Sequence, residues 1–316
     1  MKGFQLRIPS ILGLATAFLA TSVLHAQDLA PRAYLITPTH SNAVTLTWSF
    51  YKGSINFNSA LPVEGATGRY NVQVFAYYHS FSFFGRSANI VAALPYAFGN
   101  FRGTTVGAEQ RLYRSGLVDS TYRFSVNLKG GPAIPPRDFL KWHQKVLLGA
   151  SLQVVAPTGQ YDPTKLINWG TNRWAFKPEF GYSQRWGNWI VDGYAGAWFY
   201  ATNHDYFSRN ASFPGTRSQS QNPIAAFEGH LSYDFKPGLW ISLDGNFWVG
   251  GRTSVAGVEN SLTKQQNSRL GVTSAIRIAK HQSLKFSYSD GTYVKFGGNY
   301  QNVSVAWQYS WLGRPN

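Results

Sequence analysis

The chain has 316 residues and a formal net charge of +15, with 16% aromatic residues, only 14% charged residues, 31 glycines and no cysteine. Soluble domains carry roughly 25% charged residues, and the missing thiols exclude a disulfide framework, a thiolate metal site and a cysteine nucleophile. The positive charge contains no basic run of five or more residues, so it gives no sign of a nucleic-acid partner.

In chain order, Lys2 and Arg7 precede an almost uncharged stretch from Ile8 to Leu24, and Leu24-His25-Ala26 offers a small residue for cleavage. This layout predicts a secretory signal peptide over 1–26 and a mature chain over 27–316. An uncleaved anchor helix is the rival reading, against which stand the short length and the interruption at Pro9 and Ser10. No later apolar run is long enough to cross a bilayer as a helix.

From residue 43 onward the hydrophobic period is two. Val44, Leu46, Trp48 and Phe50 alternate with Thr45, Thr47 and Ser49; Phe227, Leu231 and Tyr233 alternate with Glu228, His230 and Ser232. Successive side chains of a strand point to opposite faces, so each such segment has one apolar and one polar face. The pattern predicts twelve strands, at 43–52, 70–80, 87–97, 118–129, 143–156, 173–185, 188–201, 223–235, 238–250, 267–279, 282–291 and 300–311. A further strand at 104–112 would spoil the even count.

The connections alternate between long polar segments, such as 202–222, 251–266 and 292–299, and tight turns at 185–188, 236–238 and 280–281. The segment 130–142, rich in Gly and Pro, is too long for this scheme. Strand length, even count and alternation predict an all-β fold: a transmembrane, antiparallel, up-and-down β-barrel of about twelve strands with periplasmic N- and C-termini. Trp174, Trp186, Trp189, Trp198, Trp240, Trp248, Trp307 and Trp311 lie near strand ends, where interfacial aromatic girdles are expected.

Parity assigns Asp119, Arg123, Lys129, Lys145, Lys177, Glu179, Arg185, Asp192, Glu228, His230, Asp234, Asp244, Arg269, Arg277 and Lys285 to the lumen. Either these line a water-filled pore with a mild preference for anions, or they pair between strands and close it. Their near balance of sign favours pairing and a narrow or partly plugged channel. Glu228-x-His230-x-Ser232 also invites a hydrolase reading. Residues two apart on a strand stand roughly 6.5–7 Å from each other, too far for a hydrogen-bonded relay. No cofactor, metal or nucleophile-elbow motif accompanies them.

The stretch 149–182, GASLQVVAPTGQYDPTKLINWGTNRWAFKPEFGY, with 188–204, 238–252 and 267–272, resembles a bacterial family of outer-membrane transporters linked to the meta pathway of phenol degradation. The resemblance implies an outer-membrane barrel moving small molecules, aromatic ones included, in a Gram-negative bacterium. Its expected partners are outer-membrane lipid, lipopolysaccharide and a small-molecule cargo, with oligomeric state left open. The alternative is a non-transporting structural or surface-binding barrel. Within the block, Pro157 and Gly159 stop a ladder, Asp162-Pro163 favours a turn, and Trp169 and Trp174 are placed to pin an outer loop at the interface, over the pore mouth or as a structural cap.

Overall fold

The computed structural model describes residues 30–55, 63–105, 107–211 and 213–313; the expected leader 1–26 lies outside them. The described strands are β1 (Ser41–Ile55), β2 (Val63–Phe83), β3 (Arg86–Thr105), β4 (Ala108–Leu117), β5 (Ser120–Lys129), β6 (Val146–Ala156), β7 (Ala175–Trp186) and β8 (Trp189–Tyr200). They continue with β9 (Gln219–Gln221), β10 (Ile224–Lys236), β11 (Leu239–Gly250), β12 (Thr253–Val255), β13 (Val258–Asn260), β14 (Gln265–Ala279), β15 (Gln282–Val294) and β16 (Gly298–Leu312). A single helical turn, α1 (Pro136–Phe139), interrupts the long connection after β5.

Twelve strands close an antiparallel ring, because β1 pairs with β2 on one side and with β16 on the other, from Ser41 opposite Leu312 to Ile55 opposite Gly298. Among the described residues the closed part of the ring has no unpaired edge, which a lipid environment demands of any sheet, while β4 pairs with β3 alone at the loop end. The suspected extra strand at 104–112 does not alter the count. β3 pairs with β4 along Tyr96–Thr105 and with β5 along Ala88–Ala93, so β4 and β5 are one wall strand broken at Val118 and Asp119.

The tight turns, the chain ends near Ser41 and Leu312, and the α1 connection share one end of the barrel. The other end carries the loops. Two of these are less loop-like than their polarity suggests: segments of 202–222 and 251–266 form a separate three-stranded sheet, β13-β12-β9. The expected loop at 292–299 shrinks to three residues between β15 and β16. The strand expected from 143 begins at Val146.

The wall faces follow the alternation. Leu46, Phe75, Leu94, Phe180, Phe227, Leu243, Leu270 and Val303 are exposed on the outside, while Ser49, Val72, Ala93, Glu228 and Asp244 are buried within. An apolar belt around a closed sheet is the surface a bilayer solvates. The aromatic girdle is smaller than the strand-end positions suggest. Trp174, Trp186 and Trp189 are exposed, but Trp198, Trp240 and Trp248 sit on the inward parity and are buried, Trp248 donating its indole N–H to Gln265 Oε1 at 2.8 Å.

Candidate functional site

The lumen is filled by the chain itself. Residues 31–39 run inside the barrel before β1 begins, and all but Leu35 are buried. Arg32 donates its backbone N–H to Asp192 Oδ2 at 3.2 Å and its Nη1 to Asp234 Oδ1 at 2.7 Å. Ala33 N donates to the Tyr194 hydroxyl at 3.0 Å. The Tyr34 hydroxyl lies 3.0 Å from both Ser151 Oγ and Glu179 Oε1, and Thr37 Oγ1 is 2.6 Å from the Tyr78 hydroxyl.

Two glycines make the seat for Tyr34. Gly149 of β6 and Gly181 of β7 are register partners. A Cβ on either would stand about 2 Å from the Tyr34 ring: 2.1 Å from Cδ1 at Gly149 and 2.0 Å from Cε2 at Gly181. Glycine in a strand interior costs packing and marks a place where another group approaches closely. Tyr194 meets the same ring edge-on at 5.2 Å, and the Arg123 guanidinium lies over it at 5.1 Å.

Around this segment the wall is two-sided. One side is an ionic chain across β5, β7, β10, β11 and β14. Arg123 Nη2 is 3.3 Å from Glu179 Oε1; Lys177 Nζ is 2.6 Å from Glu179 Oε2 and 2.9 Å from Glu228 Oε1. His230 Nε2 is 3.7 Å from Glu228, and its Nδ1 is 2.8 Å from Asp244 Oδ1. Asp244 also accepts hydrogen bonds from Ser242 Oγ and Thr273 Oγ1, both at 2.6 Å. The opposite side, on β1–β3 with β16, is apolar and aromatic: Tyr51, Tyr70, Val72, Val74, Phe101 and Tyr300 form one buried cluster.

The loop-bearing end of the barrel carries the 157–172 loop. Asp119, at the β4–β5 break, accepts hydrogen bonds from Gly159 N (2.9 Å), Thr171 N (2.8 Å) and Thr171 Oγ1 (2.6 Å). The loop thereby delivers Trp169 onto Tyr70 (5.5 Å between rings) and Phe101 (5.7 Å). Trp169 therefore packs on the inner aromatic cluster and not at the lipid interface. At the loop's tip, Lys165 and Thr164 bond to the Asp162 carboxyl and hold it down at about 2, below its ordinary value of 3.8.

Of the residues that parity assigns to the lumen, Arg123, Lys177, Glu179, Glu228, His230 and Asp244 meet in the ionic chain, and Asp192 binds the inserted segment. Arg269 is buried and donates to Ser289 Oγ at 3.0 Å, and Lys285 is buried on β15. Arg277, Arg185 and Asp234 lie at the turn end around a common cavity. Three residues stand elsewhere than expected. Lys145 is exposed ahead of β6, and a bulge after Asn127 sets exposed Lys129 opposite the outward-facing Leu148. Asp119 anchors the 157–172 loop instead of lining a pore. Ser232 Oγ is buried with no hydrogen-bond partner, and His230 turns its Nδ1 to Asp244, so the Glu228-His230-Ser232 relay is not assembled.

Residues 52–312 match the family described as "Putative MetA-pathway of phenol degradation". The chain belongs to this family. A search of curated proteins gives no match. Among solved structures, an outer membrane channel from Pseudomonas putida F1 is similar, with 17% identity, a TM-score of 0.72, and coverage of 90% of this chain and 100% of that one. The beta domain of the Bordetella autotransporter BrkA follows at 12% identity and TM-score 0.51, covering 86% of this chain and all of that one. At these identities the likeness is one of fold, that of outer-membrane barrels of Gram-negative bacteria. The membership of the phenol-degradation family spans nearly all the wall, and its 149–182 block contains both glycines of the Tyr34 seat and the loop that carries Trp169.

Proposed function

We propose that the protein is an outer-membrane channel for small organic molecules, aromatic ones among them, closed at rest by residues 31–39. The observation that carries this reading is the lumen with an apolar aromatic wall facing an ionic one, and between them a segment held from Arg32 to Thr37 almost wholly by wall side chains. Such a segment leaves without breaking the barrel ladder. The aromatic wall solvates a ring and the ionic wall orients its polar substituent, which agrees with the family's description. The leader 1–26 is cleaved, the barrel comprises 27–316, and both termini and the tight turns face the periplasm, with lipid and lipopolysaccharide around the belt. No catalytic role is assigned.

The test is solute flux and planar-bilayer conductance for the full mature chain and for a variant lacking residues 31–38. Frequent opening and entry of phenol-sized solutes are expected of the deletion, with rare opening of the intact chain. A deletion barrel that folds yet conducts nothing and admits nothing would refute the proposal. It would favour the second reading, a structural or surface-binding barrel, which the extensive pairing of the lumen charges also supports.

A further inference from the structure

The cavity at the turn end of the barrel lies apart from the ionic chain. It is a cavity of about 380 Å³ lined by Arg32, Arg185, Lys236 and Arg277, by Asp234, and by the apolar surfaces of Leu35, Phe235, Pro237 and Trp240. Asp234 is the single acid among four cations. Both its oxygens are already engaged, Oδ1 by Arg32 at 2.7 Å and Oδ2 by Arg185 at 2.8 Å. The Arg32 side chain is only 7% exposed, its guanidinium stacked over the Trp240 ring at 4.3 Å. Its Nε and Nη2 are buried and hydrogen-bond to no protein atom.

A cluster of one sign in a low-dielectric cleft focuses the field on a counter-ion, and the buried Arg32 guanidinium adds to that positive field from behind the cavity wall without itself reaching a ligand. From this geometry we infer that the cavity is a binding site for a small organic carboxylate with an apolar, ring-sized body. The carboxylate sits among Arg185, Arg277 and Lys236 in the charge-assisted geometry that planar guanidinium favours. The body lies against Leu35, Phe235 and Trp240. The volume falls in the ~300–1,000 Å³ range of small-ligand pockets. The site needs no passage through the barrel, so it stands or falls separately from the channel reading.

Calorimetric titration of the purified, detergent-solubilised chain tests it, with benzoate, benzyl alcohol and inorganic phosphate as probes. Benzoate is expected to bind at least tenfold more tightly than benzyl alcohol, which lacks the charge, and than phosphate, which lacks the ring. Lys236→Gln and Arg277→Gln are each expected to weaken benzoate about tenfold, and raised salt to weaken it further. Lys236 is exposed, so its variant folds whatever becomes of Arg277. Equal affinity for benzoate and benzyl alcohol, phosphate binding as tightly as benzoate, or benzoate affinity unchanged in Lys236→Gln would overturn the inference.

Discussion

The seat of Tyr34 makes a sharp test of how the lumen is closed. Replacing Gly181 by alanine adds one methyl group to the inner wall, at a backbone conformation outside the left-handed region, so the strand itself accommodates it. That methyl would stand 2.0 Å from Tyr34 Cε2, whereas carbon atoms pack at about 3.5–4.0 Å. The ring must withdraw by roughly 1.5 Å to restore that spacing. Arg123 lies over the ring and Tyr194 meets it edge-on, so it leaves the seat. What is lost is the burial of an aromatic side chain that is 1% exposed, about 2 kcal/mol, and the hydroxyl contacts with Ser151 and Glu179, about 1–3 kcal/mol together. A loss of about 3–5 kcal/mol shifts the seated–unseated equilibrium by roughly two to three and a half powers of ten. Single-channel recording reads this as a large rise in open probability for Gly181→Ala, matched by Tyr34→Ala. The double variant should open no more than Tyr34→Ala alone, since both changes remove the same contact. Unchanged opening in a correctly folded Gly181→Ala barrel, or additive effects in the double variant, would refute the reasoning.

Lys177→Met leaves Glu179 and Glu228 facing each other without their shared cation, and breaking a buried pair in this way costs about 3–5 kcal/mol; a lower urea midpoint for the barrel's heat-dependent gel shift measures it. Asp119→Asn weakens the hold on Gly159 N and Thr171, and faster amide exchange across 157–172 with unchanged exchange in the wall strands is the expected result. The Asp162 carboxyl, held at about 2, contributes to the loop tip above its ordinary 3.8 and loses that contribution as pH falls through about 2. An NMR titration of Asp162 with a midpoint near 4 would contradict that arrangement.

The wall was legible because one rule governs it. Period-two alternation gives face and register together, and it locates all twelve ring strands within a few residues except at the loop end of β2, β3 and β4, which run on well past the expected 70, 97 and 118. The same rule is blind in two places. A bulge flips parity locally, which is why Lys129 falls opposite Leu148. And a polar inward residue reads the same whether it faces water, another strand or a loop, so parity or position gives Asp119 and Trp248 surroundings they do not have.

The inserted segment is hardest to read, because nothing local marks it. Residues 31–39 have no periodicity, and their partners Asp192, Tyr194, Glu179 and Asp234 are 145 to 202 residues away. Its imprint on the wall is nevertheless present in the sequence. Gly149 and Gly181 occupy strand interiors where glycine is unfavourable, they are paired in register, and both fall on the inward parity. A water-filled pore has no use for two adjacent bare positions, since side chains there would simply meet solvent. A pair of inward glycines on neighbouring strands therefore argues for a flat ring lying across them, and Tyr34 occupies that place. The near balance of charge around it points the same way. Lys177 is 3% exposed, and a lysine so dry is tolerable only where Glu179 and Glu228 both reach it and something other than water fills the space beyond.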